Sequence, residues 1–188
     1  MVKKVSTFEL IMSALFVALI TIGAFFKIPT ALVPVSLQYT FTMLSGLLLG
    51  PKMGALSCFV YMILGLVGVP VFTSGGGLAY VLTPTFGYIV GFIAGAYVTG
   101  WIAHNGKEIS FKRLLLADFA GMIITYVIGI GYFVLIMTFY LNYDVTLEFV
   151  FVNLLLMFLP ADILSCIIGA MFGQKLIPQI NKMKKQMG

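Results

Sequence analysis

The chain has 188 residues, of which 61% are hydrophobic and 9% charged, and a net charge of +5. A soluble domain carries about 25% charged residues, so this composition excludes one, and the mean hydropathy of +1.12 calls for lipid around most of the surface. The basic residues lie in short clusters between apolar runs, with no basic face and no recognisable module, which excludes nucleic acid as a partner and makes them topology signals.

Hydropathy predicts six apolar segments, near residues 8–26, 36–50, 53–69, 84–103, 114–140 and 147–178, to be set against the ~20 residues that span a bilayer as helix. The start, Met1 to Lys4 followed by an apolar run, has the outline of a signal peptide. Ser6 to Phe26 is nevertheless long enough to span and lacks a clean cleavage site, so it reads as a retained first helix. On it Ala14 and Ala18, with Ser13 and Ala24 nearby, make a smooth face against which a partner helix packs closely. The second segment is too short to cross alone. Either it borrows Leu32 to Val35, or it starts within the bilayer where protein shields its end. Ahead of it, Lys27 to Gln38 reads KIPTALVPVSLQ, and two prolines among apolar residues predict a packed extended segment. Gln38 enters the helix as an amide that needs partners, and a ligand is one candidate.

Between the third and fourth segments, Val69 to Pro84 reads VPVFTSGGGLAYVLTP and carries no charge. Gly75, Gly76 and Gly77 allow backbone conformations and close approaches closed to other residues, so the loop is expected either to fold over the bundle mouth or to be an ordinary flexible turn. Tyr80 and Tyr88 flank it, and suit a ligand wall or the membrane interface. In the fifth segment, Asp118 follows Lys112 and Arg113 by one to two helical turns and is expected to pair with them near the cytoplasmic interface. In the sixth, Pro160 favours a helix start. A spanning helix is predicted from about Pro160 to Ile177, with Leu147 to Leu159 leading into it; the rival is one long helix kinked at Pro160. Asn153 is a lone amide in VFVNLLLMF. Asp162, with no Lys or Arg within ten residues, would sit in the first turn, where the helix dipole favours negative charge. There it either accepts hydrogen bonds from the NH groups of a neutral ligand or caps the helix.

Lys3, Lys4, Lys52, Lys107, Lys112, Arg113, Lys175, Lys182, Lys184 and Lys185 all fall on one side of this arrangement, with Lys27, Asp144 and Glu148 on the other. The positive-inside rule then puts both termini in the cytoplasm, which requires an even number of spans. The expected fold is all-α: a single membrane-embedded domain over residues 1–188 with six transmembrane helices. Cys58 and Cys166 lie alone in apolar runs, and the only histidine, His104, reads as a loop residue, so no disulfide, metal site or cofactor is expected. No phosphate-binding loop is present, and no nucleophile and base stand at a suggestive spacing, which points to binding and away from catalysis.

The segments PVSLQ (Pro34 to Gln38), LLLGPKMGALS (Leu47 to Ser57), LVGVPVFTSGGGL (Leu66 to Leu78), TPTFGYIVGF (Thr83 to Phe92) and FLPAD (Phe158 to Asp162) occur in this order along most of the chain. Together they resemble the BioY family, the biotin-specific substrate-binding (S) components of energy-coupling factor (ECF) transporters. The resemblance implies a six-helix bundle in a prokaryotic cell membrane, with a vitamin site near the outer face under the loops after helices one and three. It implies as partners biotin, a transmembrane coupling protein docking at Ala14 and Ala18, and two ATPase subunits, with release inside when the component topples. Gln38, Gly75 to Gly77, Tyr88 and Asp162 match motif residues of the family, Asp162 for the ureido NH groups of biotin; Asn153 is a further candidate. The chain reads PADILS where the family often reads PGDxxK, so Ser165 stands in place of a lysine. The alternatives are therefore an S component for lipoate or another small carboxylate vitamin and, in a different class, a stand-alone secondary carrier.

Overall fold

The computed structural model describes residues 5–28, 35–106 and 108–187. Lys3, Lys4, Lys107 and the loop stretch 29–34, with both its prolines, lie outside the described residues. Helix α1 (Thr7–Phe25) opens with a capping box. The Glu9 amide donates to Ser6 Oγ at 3.2 Å and the Ser6 amide to Glu9 Oε2 at 2.9 Å, so two N–H groups without helical partners are satisfied reciprocally. A short antiparallel pair follows, β1 (Lys27–Ile28) against β2 (Val35–Ser36), with Lys27 opposite Ser36.

Helix α2 (Gln38–Leu49) has 12 residues, about 18 Å of helix, and so begins well inside the bundle; Val35 is strand and does not extend it. It turns directly into α3 (Pro51–Leu66) at Gly50, whose φ of 83° is a conformation that glycine adopts without steric cost. The fourth and fifth helices are α4 (Phe86–His104) and α5 (Phe111–Leu135), the latter prolonged by a wide π-type turn over Ile136–Tyr140. The chain then forms α6 (Leu147–Val150), a second π-type stretch (Phe151–Leu156), and α7 (Leu159–Met187). Pro160 thus stands in the first turn of α7, but the lead-in from Leu147 is itself helical and joins α7 through a turn at Met157–Phe158, so the observed arrangement combines the expected start with its rival, one long run. One expectation is corrected: α7 does not stop near Ile177 but continues through Pro178 to Met187.

Six principal helices, α1 to α5 and α7, make up the bundle. Among the described residues, four helical runs are long and apolar enough to cross a membrane: Thr7–Phe25, Phe86–His104, Phe111–Tyr140 and Leu147–Lys184. The chain is therefore a multi-pass membrane protein. The start of α1 and the end of α7 meet on one face, where Lys184 Nζ lies 2.5 Å from Glu9 Oε1.

The interior is stitched together by glycine. A side chain on Gly91 would run into the backbone of Thr125, and one on Gly95 or Gly121 into the facing helix, so α4 and α5 meet backbone to backbone. Gly46 lies equally close to Ala96, and Gly54 to Gly46. In lipid, where apolar burial drives little helix association, such close approach through small residues supplies the packing.

His104, expected as a loop residue, is the last residue of α4, and its Nε2 lies 2.7 Å from the Leu47 carbonyl. Asp118 also departs from expectation. It is fully buried, neither carboxyl oxygen has a hydrogen-bond partner among the described residues, and Oδ2 lies against Gly169 of α7. Arg113 instead donates to the Ile102 carbonyl at 2.8 and 2.7 Å. Five residues of helix turn a side chain about 140° away from its starting direction, so Arg113 and Asp118 share a helix but not a face.

Candidate binding site

A cavity opens at the end of the bundle opposite the Glu9–Lys184 pair. Its wall is built from Ser36 of β2, Gln38 and Tyr39 at the start of α2, Thr73 and Tyr80 of the glycine loop, Thr85 just ahead of α4, and Tyr88, Ile89 and Phe92 of α4. Thr125 and Tyr126 of α5 close it with Phe158 and Asp162 at the start of α7. Each polar group is placed by local structure. Pro160 starts α7, so Asp162 falls in its first turn, with the Asp162 amide donating to the Phe158 carbonyl at 3.0 Å. The short α2 starts where its neighbours are already packed, which buries Gln38 to 4% exposure.

Asp162 is 8% exposed. Tyr126 donates its hydroxyl proton to Asp162 Oδ2 at 2.5 Å, and Oδ1 accepts from no other side chain among the described residues. Gln38 Nε2 donates to the Tyr61 hydroxyl at 3.0 Å, and that hydroxyl donates to the Val71 carbonyl at 2.9 Å. The amide is thereby tied to the loop, with its carbonyl oxygen left as an acceptor. Tyr88 packs edge-on against Tyr126, ring centroids 6.5 Å apart, and its buried hydroxyl has no partner among the described residues. An unpartnered buried hydroxyl costs about 1–3 kcal/mol, and a ligand in the cavity is positioned to satisfy it. The cavity thus offers aromatic walls, one carboxylate acceptor and a few hydroxyls, the usual make-up of a small-molecule site.

Of the residues singled out in the sequence, the structure brings Gln38, Tyr88 and Asp162 together around this cavity, and adds Tyr80. Gly75, Gly76 and Gly77 do not line it. Gly75 closes a turn with Phe72, and the Gly77 amide donates to the Gly65 carbonyl at 2.7 Å. The run therefore pins the loop to the end of α3, and Thr73 and Tyr80 on either side of it reach the cavity, bonded to each other at 3.1 Å. Asn153 lies elsewhere as well, its side chain donating to the Phe149 carbonyl at 3.1 Å, one turn back on its own helix. Sequence reasoning missed Tyr39 and Tyr126. Tyr126 carried a signal, as a polar-tipped ring at the centre of the apolar run GMIITYVIG; Tyr39 carried its adjacency to Gln38. Ala14 and Ala18 are exposed on the lipid-facing side of α1, in line with exposed Ile11, Ile22 and Phe25. Among the described residues no group of three His, Cys, Asp or Glu side chains is placed to hold a metal ion.

Known proteins resemble this chain in sequence and in fold along nearly its whole length. The family model described as the BioY family matches residues 1–182. A probable biotin transporter BioY of Lysinibacillus sphaericus is 40% identical over 176 residues, covering 94% of this chain and 90% of that one. The biotin transporter BioY of Thermotoga maritima is 44% identical over 123 residues, covering 65% of this chain and 72% of its own. Among solved structures, the S-component for biotin from an ECF-type ABC transporter superposes with a TM-score of 0.69 at 28% identity, covering 89% of each chain. Matched along nearly its whole length in sequence and in fold, this chain belongs to the BioY family and has the fold of an ECF-type S component.

Proposed function

We propose that this chain binds biotin at the cavity around Asp162, as the substrate-specific subunit of an ATP-driven importer in a prokaryotic plasma membrane. The observation that supports it most directly is the pairing of Asp162 with Tyr126 beneath aromatic walls. The cyclic ureido group of biotin offers two neutral N–H donors, one on each side of its carbonyl. A carboxylate with one oxygen held by a tyrosine keeps the other available, and a charge-assisted bond in a site poor in water is worth more than a neutral one. Tyr88, Tyr80 and Phe92 would flank the bicyclic head, and the Tyr88 hydroxyl and Gln38 carbonyl would complete its polar contacts.

The positive-inside rule places the Glu9–Lys184 face in the cytoplasm and the cavity toward the outside. A bundle with no phosphate-binding loop takes its energy from elsewhere. We assign that to the transmembrane coupling protein and two ATPases implied by the family, with the exposed Ala14–Ala18 face of α1 as the docking surface, where small residues allow close helix approach. Calorimetric titration of the purified chain in detergent with biotin and, separately, lipoate tests the ligand. Saturable biotin binding that weakens in Asp162→Asn is the expected result. Saturable lipoate binding with no response to biotin would overturn biotin as the ligand, and uptake by the chain alone in lipid vesicles would overturn the subunit reading in favour of a stand-alone carrier.

A further inference from the structure

Asp162 and Ser36 line not only the cavity but also a groove of about 580 Å³ on its flank, a volume typical of small-molecule sites. The groove runs between the end of α1 and the start of α7, and Lys27, Thr40 and Ser165 are among the residues lining it. Thr40 and Ser165 bridge it by a hydroxyl–hydroxyl bond of 2.7 Å, neutral on both sides. Lys27 is the one Lys or Arg, among the described residues, that lines either space. Its backbone is paired with Ser36, and its ammonium donates to the Thr73 carbonyl of the glycine loop, 46 residues away. Ser36 and Thr73 both belong to the cavity wall, so the ammonium stands where cavity and groove join.

Building on the biotin reading above, we propose that Lys27 receives the ligand's carboxylate, with the tail lying in this groove while the ureido head occupies the cavity. A ligand with N–H donors at one end and a negative charge at the other cannot place both at Asp162, because two carboxylates side by side repel. The groove offers the tail apolar contact with Phe25, Phe26 and Ile28, and Lys27 ends it with a cation. An ammonium has three donors; one is spent on the Thr73 carbonyl, and a carboxylate is a stronger acceptor than that amide oxygen.

The test is calorimetric titration of the full chain with biotin and with biotin methyl ester, comparing wild type, Lys27→Gln and Lys27→Arg. Glutamine keeps a donor for Thr73 but removes the charge. Lys27→Gln is expected to weaken biotin about tenfold or more and the ester less than about twofold, and Lys27→Arg to hold biotin within about threefold. Equal losses for both ligands in Lys27→Gln, or no loss for either, would overturn the assignment while leaving biotin binding intact. A wild type that ignores biotin would overturn the ligand reading, and this inference with it.

Discussion

Two aspartates are buried in one helix bundle, and they live under opposite terms. Asp162 sits in the first turn of α7 with Tyr126 on one oxygen and two open spaces beside it. Asp118 is seated against Gly169, seven residues further along α7, or about 10 Å deeper, with neither oxygen bonded among the described residues. Around Asp162 the rings of Tyr39, Tyr80, Tyr88, Phe92 and Tyr126 line open space; around Asp118 the helices pack through Leu47, Leu114 and Ala117. The same functional group is therefore recruited into a binding surface at one level and enclosed by apolar packing at the other. What separates the two cases is the spacing of the neighbours, since their burial is similar.

That contrast is open to attack by substitution. The largest effect is expected at Asp162: Asp162→Ala removes the one carboxyl group that lines the cavity among the described residues and should weaken ligand by about 2–3 kcal/mol, read by titration, while the ligand-free melting temperature barely moves. Next comes Gly169→Leu, which drives a side chain into the Asp118 carboxyl and should cost about 1–3 kcal/mol of stability as overpacking. It would appear as a lower melting temperature in detergent. Tyr126→Phe leaves the ring in place but strips Asp162 of its donor; a loss of about 1 kcal/mol in ligand affinity is expected, with stability near wild type. The smallest effect belongs to Asp118→Asn, for which ligand affinity should stay within about twofold. A tenfold loss there would mean that the two levels are coupled and that the contrast drawn above is wrong.

Much of this molecule was legible in its sequence because lipid imposes simple rules. Spans had to be long and apolar, charges had to cluster on one side, and Pro160 had to open a helix. The observed helix bounds follow those rules to within a few residues, except that α7 runs ten residues past Ile177. Failures came wherever neighbours in space differ from neighbours in the chain. Sequence distance pairs Lys112 and Arg113 with Asp118, although a helix carries them round to other faces. The glycine run signalled freedom at the cavity mouth, but its backbone is committed to Gly65 and Phe72. The groove containing Lys27 joins residues from 25 to 168, and no local pattern announces it. Nor does any motif announce that Gly91 and Gly95 face Gly121 and Thr125; only the crossing of α4 with α5 makes those glycines one feature.

The short α3 has a further consequence for the lipid itself. Its exposed large apolar residues run from Leu56 to Ile63, whereas those of α5 and its π-type extension run from Leu116 to Phe139, about 11 Å against 35 Å along the helix axis. Past the end of α3 the exposed Val69, Leu78 and Leu82 carry apolar surface onward, so on this flank the loop, and not a helix, meets the rest of the membrane's thickness.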